Sequence, residues 1–352
     1  MTPDRTTRLS TLDRFLPLWI GLAMAGGTIV GRLFPGLDDL LEKVKIDTVS
    51  LPIALGLLAM MYPVLAKVDY SALRGTAADK RPFLLVLALN WLVGPFVMFV
   101  LAWTFLGNLP EYRTGLIIVG LAPCIAMVII WIDLAAGNNE LAAIFVAINS
   151  IIQVVAFSML GYFYLEVLPS WTGKDTSAID VSMADIAKSV AIFLGVPLVA
   201  GWATRRAGTA RKGSEWYEKT FVPRIGPIAL YGLLFTIVVL FALQGNRIWG
   251  KPTDVLRISV PLLIYFVLMW GAGMWASRRL SLSFDRAVSV GFTAAGNNFE
   301  LAIAVCIGVF GVSSGQALAG VVGPLIEVPV LVSLVYVARR IQGRWTRETL
   351  GS

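Results

Sequence analysis

The chain has 352 residues, of which 57% are apolar, with a mean hydropathy of +0.77 and a formal net charge of +7. Soluble domains hold about 45–50% apolar residues, so this composition excludes an ordinary soluble protein and points to an integral membrane protein. The chain has no histidine and two cysteines, which excludes a Ser/His/Asp set, a CxxC metal knot and a disulfide framework.

The opening "MTPDRTTRLSTLDRF" has no small-residue cleavage site after a short apolar core, so no signal peptide is expected. Windows of about 20 mostly apolar residues, the length a bilayer requires, then follow one another. They lie near 15–33, 49–66, 83–106, 115–136, 141–165, 186–204, 225–243, 258–277, 287–310 and 317–338, which predicts ten transmembrane helices. Alternating the loops puts 20 of the 29 Lys and Arg on one side, Arg5, Lys67, Arg74, Arg205 and Arg340 among them, and 9 on the other. The positive-inside rule makes the richer side, with both termini, cytoplasmic. Topology thus accounts for the net charge, and cations divided among short loops give no nucleic-acid surface.

Three pairs of segments recur at nearly one offset. "PIALGLL" at 52 matches "PIALYGLL" at 227, Pro82 and Trp91 match Pro261 and Trp270, and "IIQVV" at 151 matches "LIEVP" at 325, with offsets of 175, 179 and 174. Each half then holds five spans, and an odd number inverts the second half relative to the first. The predicted fold is an all-α polytopic membrane protein made of two inverted five-helix repeats, about 15–168 and 186–338, within one transporter domain covering 1–352.

A shorter string, "GNN", occurs at 137 and 296, only 159 residues apart, so its copies are not equivalent in that repeat. The first falls between spans four and five, beside Asp133 and Glu140, where a capped turn is the simpler reading. The second falls in the middle of span nine. The repeat offset pairs Gly296, Asn297 and Asn298 with Ala122, Pro123 and Cys124 in span four. Pro removes a backbone hydrogen bond and Gly weakens a helix, so both spans are predicted to be interrupted at mid-membrane, a pointer to a transporter binding site.

Cys124 sits at the first interruption and offers one soft ligand for a thiophilic solute, whereas Cys306, in "IAVCIGVF", reads as an inert small hydrophobe. Glu300 and Glu327 are ionisable groups at bilayer depth, functional by default, with a neutral or hydrogen-bonded structural carboxyl as the bland alternative. Glu327 matches Gln153 in the repeat, so one half alone supplies a titrating group there. Asn149 and Gln153, four apart on one helical face, could bind a hydroxylated solute together with Asn297 and Asn298. Trp131 shares a face with Cys124 and reads equally well as a site residue or as packing; Asn90 has weaker support, and Asp133 reads as a boundary residue. With no Walker A sequence and no zinc spacing, transport driven by an ion gradient remains.

"GLAPCIAMVIIW", "AAGNNFELAIAV" and "ALAGVVGPLIEVPVLVSLVYVARR" together resemble the arsenical resistance-3 family of arsenite permeases, in the bile acid/arsenite/riboflavin transporter superfamily, over essentially the whole chain. The resemblance implies crossed, interrupted helices four and nine in a core domain and a panel of spans one, two, six and seven. It also implies residence in the plasma membrane, a bacterial inner membrane, and efflux of arsenite, in some members antimonite, against inward protons, with no cofactor. By motif, Cys124 resembles the family's substrate thiol, taking arsenic(III) as substrate. Asn298, Glu300 and Glu327 resemble its polar transport residues, followed by Trp131 and Asn149.

Two other readings stand beside this one. A sodium-coupled symporter of an organic anion shares the superfamily fold and needs no cysteine. A receptor or intramembrane enzyme fits poorly with a full-length inverted repeat and no sizeable soluble domain.

Overall fold

The computed structural model describes residues 16–34, 36–37, 41, 43–46, 49–70, 79–125, 127–173, 182–250 and 252–349. The expectations for a signal peptide, for both chain termini and for Arg5 and Arg74 lie outside these residues.

Helices dominate. They are α1 (Leu16–Leu33), α2 (Leu51–Ala66), α3 (Arg81–Leu106), α4 (Pro110–Gly120), α5 (Val128–Leu134) and α6 (Asn139–Trp171). Then come α7 (Met183–Lys212), α8 (214–250), α9 (Pro252–Arg279), α10 (Phe284–Ala295), α11 (Phe299–Phe310) and α12 (Gly315–Thr349). One departure from an all-helical chain is a two-residue antiparallel ladder, β1 (Lys45–Ile46) with β2 (Val49–Ser50), in the short link before α2. Among the described residues α3, α6, α7, α8, α9 and α12 are each long and apolar enough to cross a membrane, while α1, α2 and α11 are apolar but shorter.

Local sequence sets the ends. Side chains of Asn138, Ser182 and Asn298 cap α6, α7 and α11 by accepting from backbone N–H groups, and Gly213 and Gly311, at φ +85° and +86°, end α7 and α11. Four wide turns of π type interrupt the long helices at Leu89–Val93, Phe163–Val167, Ala191–Gly195 and Tyr217–Phe221. Each ends two residues before a proline: Pro95, Pro169, Pro197 and Pro223. A proline ring collides with the carbonyl four residues back and leaves it without a donor, and a local widening relieves both faults while the helix continues.

Two groups of helices form. In one, α1 lies on α8, α8 on α2, and α2 on the Val196–Lys212 part of α7. Gly27 and Gly31, a GxxxG pair on α1, let it approach α8 so closely that a Cβ at either would strike the α8 backbone at Val238 or Ala242. In the other, α12 packs on α4, α9 and α11, α3 on α4 and α9, and α9 on α10.

Candidate functional site

The interruptions expected in the fourth and ninth windows are both present, and they lie against each other. Helix stops at Gly120 and resumes at Val128; it stops again at Ala295 and resumes at Phe299. The Cys124 N–H donates to the Gly296 carbonyl at 3.0 Å and the Asn298 N–H to the Ala122 carbonyl at 2.6 Å, pairing Pro123 with Asn297 as a short antiparallel bridge. Residue 123 is the one that the 174-residue offset equates with 297. Backbone groups freed by each break are thus satisfied by the other, the condition for non-helical backbone away from water.

Side chains complete the crossing. Pro123 has no N–H, and its carbonyl accepts from the Gln153 amide. Asn297 does have an N–H, which donates to Glu327 Oε1 at 3.2 Å. The match of glutamine in one half with glutamate in the other therefore follows need: a donor for an open carbonyl, an acceptor for an open N–H. Asn298 caps α11 through Leu301 N at 3.1 Å and donates its amide to Gln153 Oε1 at 3.1 Å, while the Asn297 amide donates to the Val119 carbonyl at 3.0 Å. Asn297 Oδ1 has no partner among the described residues. A Cβ built on Gly296 would stand 3.0 Å from Cys124 Cβ and 3.5 Å from Glu327 Oε1, so thiol, break and carboxyl are neighbours.

Of the residues singled out by sequence, Cys124, Asn297, Asn298 and Glu327 meet at this crossing, together with Gln153. Asn149 does not join them: its carbonyl accepts from the Trp91 indole at 3.3 Å, and its NH2 is buried without a partner among the described residues. The Trp131 indole N–H is likewise buried and unpartnered. Cys306 is fully buried within α11, as expected of an apolar spacer.

Glu300 faces a different space, a cavity of about 380 Å³ between the two helix groups. Its core side is lined by Ile125, Met127 and Ile130 beside the first break and by Glu300; Met60 and Val64 of α2 and Leu230 of α8 form the opposite wall. At its exposed rim stand Lys67, Asp69, Arg205 and Glu218. Sequence reasoning missed Met60 and Met127 as lining residues and treated Lys67 and Arg205 only as topology charges. Met127, three residues past Cys124, carried a usable signal; Met60 is brought in by tertiary folding alone.

The first GNN is a capped turn, in agreement with the sequence. Asn138 Oδ1 accepts from Leu141 N at 2.9 Å, Ala136 adopts φ +59°, and the Asn138 N–H and amide bond Ser289 Oγ at 2.8 Å and Asp285 Oδ2 at 3.2 Å on α10.

Residues 54–251 match the model of the Sodium Bile acid symporter family. The chain is 54% identical to the Arsenical-resistance protein Acr3 of Corynebacterium glutamicum over 95% of its own length and 90% of that protein. It belongs to the arsenical resistance-3 family. A second Arsenical-resistance protein Acr3, from Alkaliphilus metalliredigens, is 32% identical over 96% of this chain and 94% of its own, and an uncharacterized transporter of Synechocystis is 35% identical over 94% and 89%. Family membership makes this chain a multi-pass membrane transporter and not an enzyme.

Proposed function

We propose that this transporter exports arsenite from the cytoplasm, across a bacterial inner membrane, in exchange for protons. The observation that carries the reading is one thiol, Cys124, at the crossing of two broken helices and beside a buried carboxyl, in a chain 54% identical over 335 residues to a protein named for arsenical resistance. Arsenous acid is neutral near pH 7, hydroxylated and thiophilic. Its arsenic exchanges one hydroxyl for the Cys124 sulfur, the thiol proton leaving with that hydroxyl as water, and the reverse step with water releases it. A single thiolate ligand keeps this exchange reversible, and antimonite, with the same geometry and softness, is accepted on the same grounds.

The Asn297 and Asn298 amides and Gln153 orient the remaining hydroxyls, with Asn149 and Trp131 in the surrounding shell. Because the substrate is neutral, membrane potential alone does not drive it outward, and a group that exchanges a proton is required. Glu327 at the crossing and Glu300 in the cavity fill that role.

The architecture that goes with this reading is ten spans in two inverted repeats, about 15–168 and 186–338, with both termini cytoplasmic. Its support is the pairing of Pro123 with Asn297 at the repeat offset and the packing of α1, α2, α8 and the Val196–Lys212 part of α7 as a panel. With the basic loops inside, the cavity opens to the cytoplasm.

The test is accumulation in everted vesicles. Arsenite uptake driven by an imposed proton gradient, and abolished by dissipating it, supports the reading; no uptake under that gradient overturns it. The match to the Sodium Bile acid symporter family favours one competitor, sodium-coupled uptake of an organic anion, which predicts the opposite ion dependence in the same vesicles.

A further inference from the structure

A cavity that loads from the cytoplasm meets abundant inorganic phosphate, an oxyanion of similar size to the proposed substrate. An arginine at its rim is the natural receptor for such an anion, since the guanidinium fork fits phosphate oxygens with two hydrogen bonds. Arg205 is that arginine, and both of its terminal nitrogens are already engaged. Its Nη2 lies 2.5 Å from Glu218 Oε1 and 3.2 Å from Asp69 Oδ2, and its Nη1 donates to the Lys67 carbonyl at 3.2 Å. The guanidinium also lies over the Tyr217 ring, 5.3 Å from its centre. The Arg205 side chain is only 14% exposed, whereas Asp69 and Glu218 are 44% and 48% exposed. The rim therefore holds two cations, Lys67 and Arg205, and two carboxylates, and the next ionisable group inward is Glu300.

We infer that Asp69 and Glu218 are specificity-determining residues: by occupying Arg205 they remove the anion receptor from the cavity mouth, leaving an entrance that admits a neutral solute and rejects phosphate and arsenate. Discrimination of this kind comes from an element set against the wrong ligand as well as from contacts to the right one. The inference rests on the arsenite reading for its purpose, but the charge arrangement stands without it. Removing both carboxylates takes two negative charges from the mouth and frees Arg205 Nη2, turning a balanced rim into an oxyanion site.

The test uses the full-length purified protein in lipid nanodiscs and in proteoliposomes. Asp69→Ala with Glu218→Ala removes both charges and both accepting oxygens from Arg205. Saturable binding of radiolabelled inorganic phosphate is expected for this double variant and absent for the parent, and adding Arg205→Gln abolishes it. In proteoliposomes phosphate lowers arsenite transport by the double variant severalfold relative to its own phosphate-free rate and leaves the parent's ratio unchanged. Phosphate binding by the parent, no gain in the double variant, or a gain that survives Arg205→Gln each overturn the inference. Should the parent move no arsenite, the functional reading fails, and phosphate binding still decides the charge arrangement. If the double variant does not fold, each half-exposed carboxylate is replaced singly and the same binding measurement applies.

Discussion

"AAGNNE" at 135–140 and "AAGNNFE" at 294–300 are nearly one string in two environments, and the part they share is local. In both an asparagine is the N-cap, the first of the pair in one string and the second in the other: Asn138 accepts from Leu141 N at 2.9 Å and Asn298 from Leu301 N at 3.1 Å. A short side chain with an accepting oxygen just before a helix satisfies an open N–H wherever that helix lies. What differs is the partner of the free amide. Asn138 donates to Asp285 at a partly exposed turn; Asn298 donates to Gln153 where both are almost fully buried. Helix α10 joins the two sites, beginning at Asp285 and Ser289 against the first string and ending at the second.

The largest test of that contrast concerns the cysteine beside the second string. Cys124→Ser abolishes arsenite transport in everted vesicles, and Cys306→Ser leaves it near the parental rate; transport by the Cys124→Ser protein at that rate removes the thiol from the mechanism. Next come the carboxyls. Glu327→Gln or Glu300→Gln, each fixing a neutral side chain, stops gradient-driven accumulation while arsenite binding persists, and retention of gradient-dependent accumulation by both variants excludes them as the coupling group.

Asn298→Ala and Asn138→Ala bear on the two strings directly. Each loses a cap of about 1 kcal/mol. Asn298→Ala also leaves the buried Gln153 oxygen without its donor, a further loss of about 1–3 kcal/mol. Asn298→Ala is therefore the more destabilised in thermal unfolding in detergent and loses transport, whereas Asn138→Ala keeps most of it. Equal loss in the two proteins would mean that the first string is functional.

The smallest effect lies at the start of α10. Asp79 bonds Arg81 through both oxygens, at 3.0 and 3.1 Å, and Arg286 at 2.9 Å, and these partners hold its carboxyl down at about 2. A depressed carboxyl contributes stability that is present above its unfolded value, about 3.9, and lost as pH falls through about 2. Asp79→Asn is expected to lower the unfolding midpoint slightly at pH 7, where the ion pairs are intact, and to flatten its fall between pH 4 and pH 2, so that parent and variant converge toward pH 2; an unchanged acid slope removes Asp79 as its source.

Much of the molecule was legible because membrane proteins write their elements in period and composition. The apolar windows fall mainly on helix, Pro123 and Gly296 announced the breaks inside the fourth and ninth, and the first GNN read correctly as a capped turn, all consequences of a residue's own backbone and its nearest neighbours. The residues at the crossing were legible too, since a carboxyl or amide at bilayer depth has few other uses. The partner of Asn149 was not legible, because a helical face says which side chains lie together, not which neighbour faces them, and that neighbour is Trp91.

The sequence by itself therefore determined which stretches are helical and where the fourth and ninth spans break, while the outer ends of helices such as α8 and α12 and the four wide turns emerged only with the structure. Only the tertiary structure decided that Pro123 meets Asn297, that Gln153 and Glu327 serve opposite backbone needs, and that Asp69 and Glu218 converge on Arg205. Caps and breaks act within about one helical turn, whereas these pairings join residues 13 to 174 positions apart, and their geometry exists only once the helices have packed.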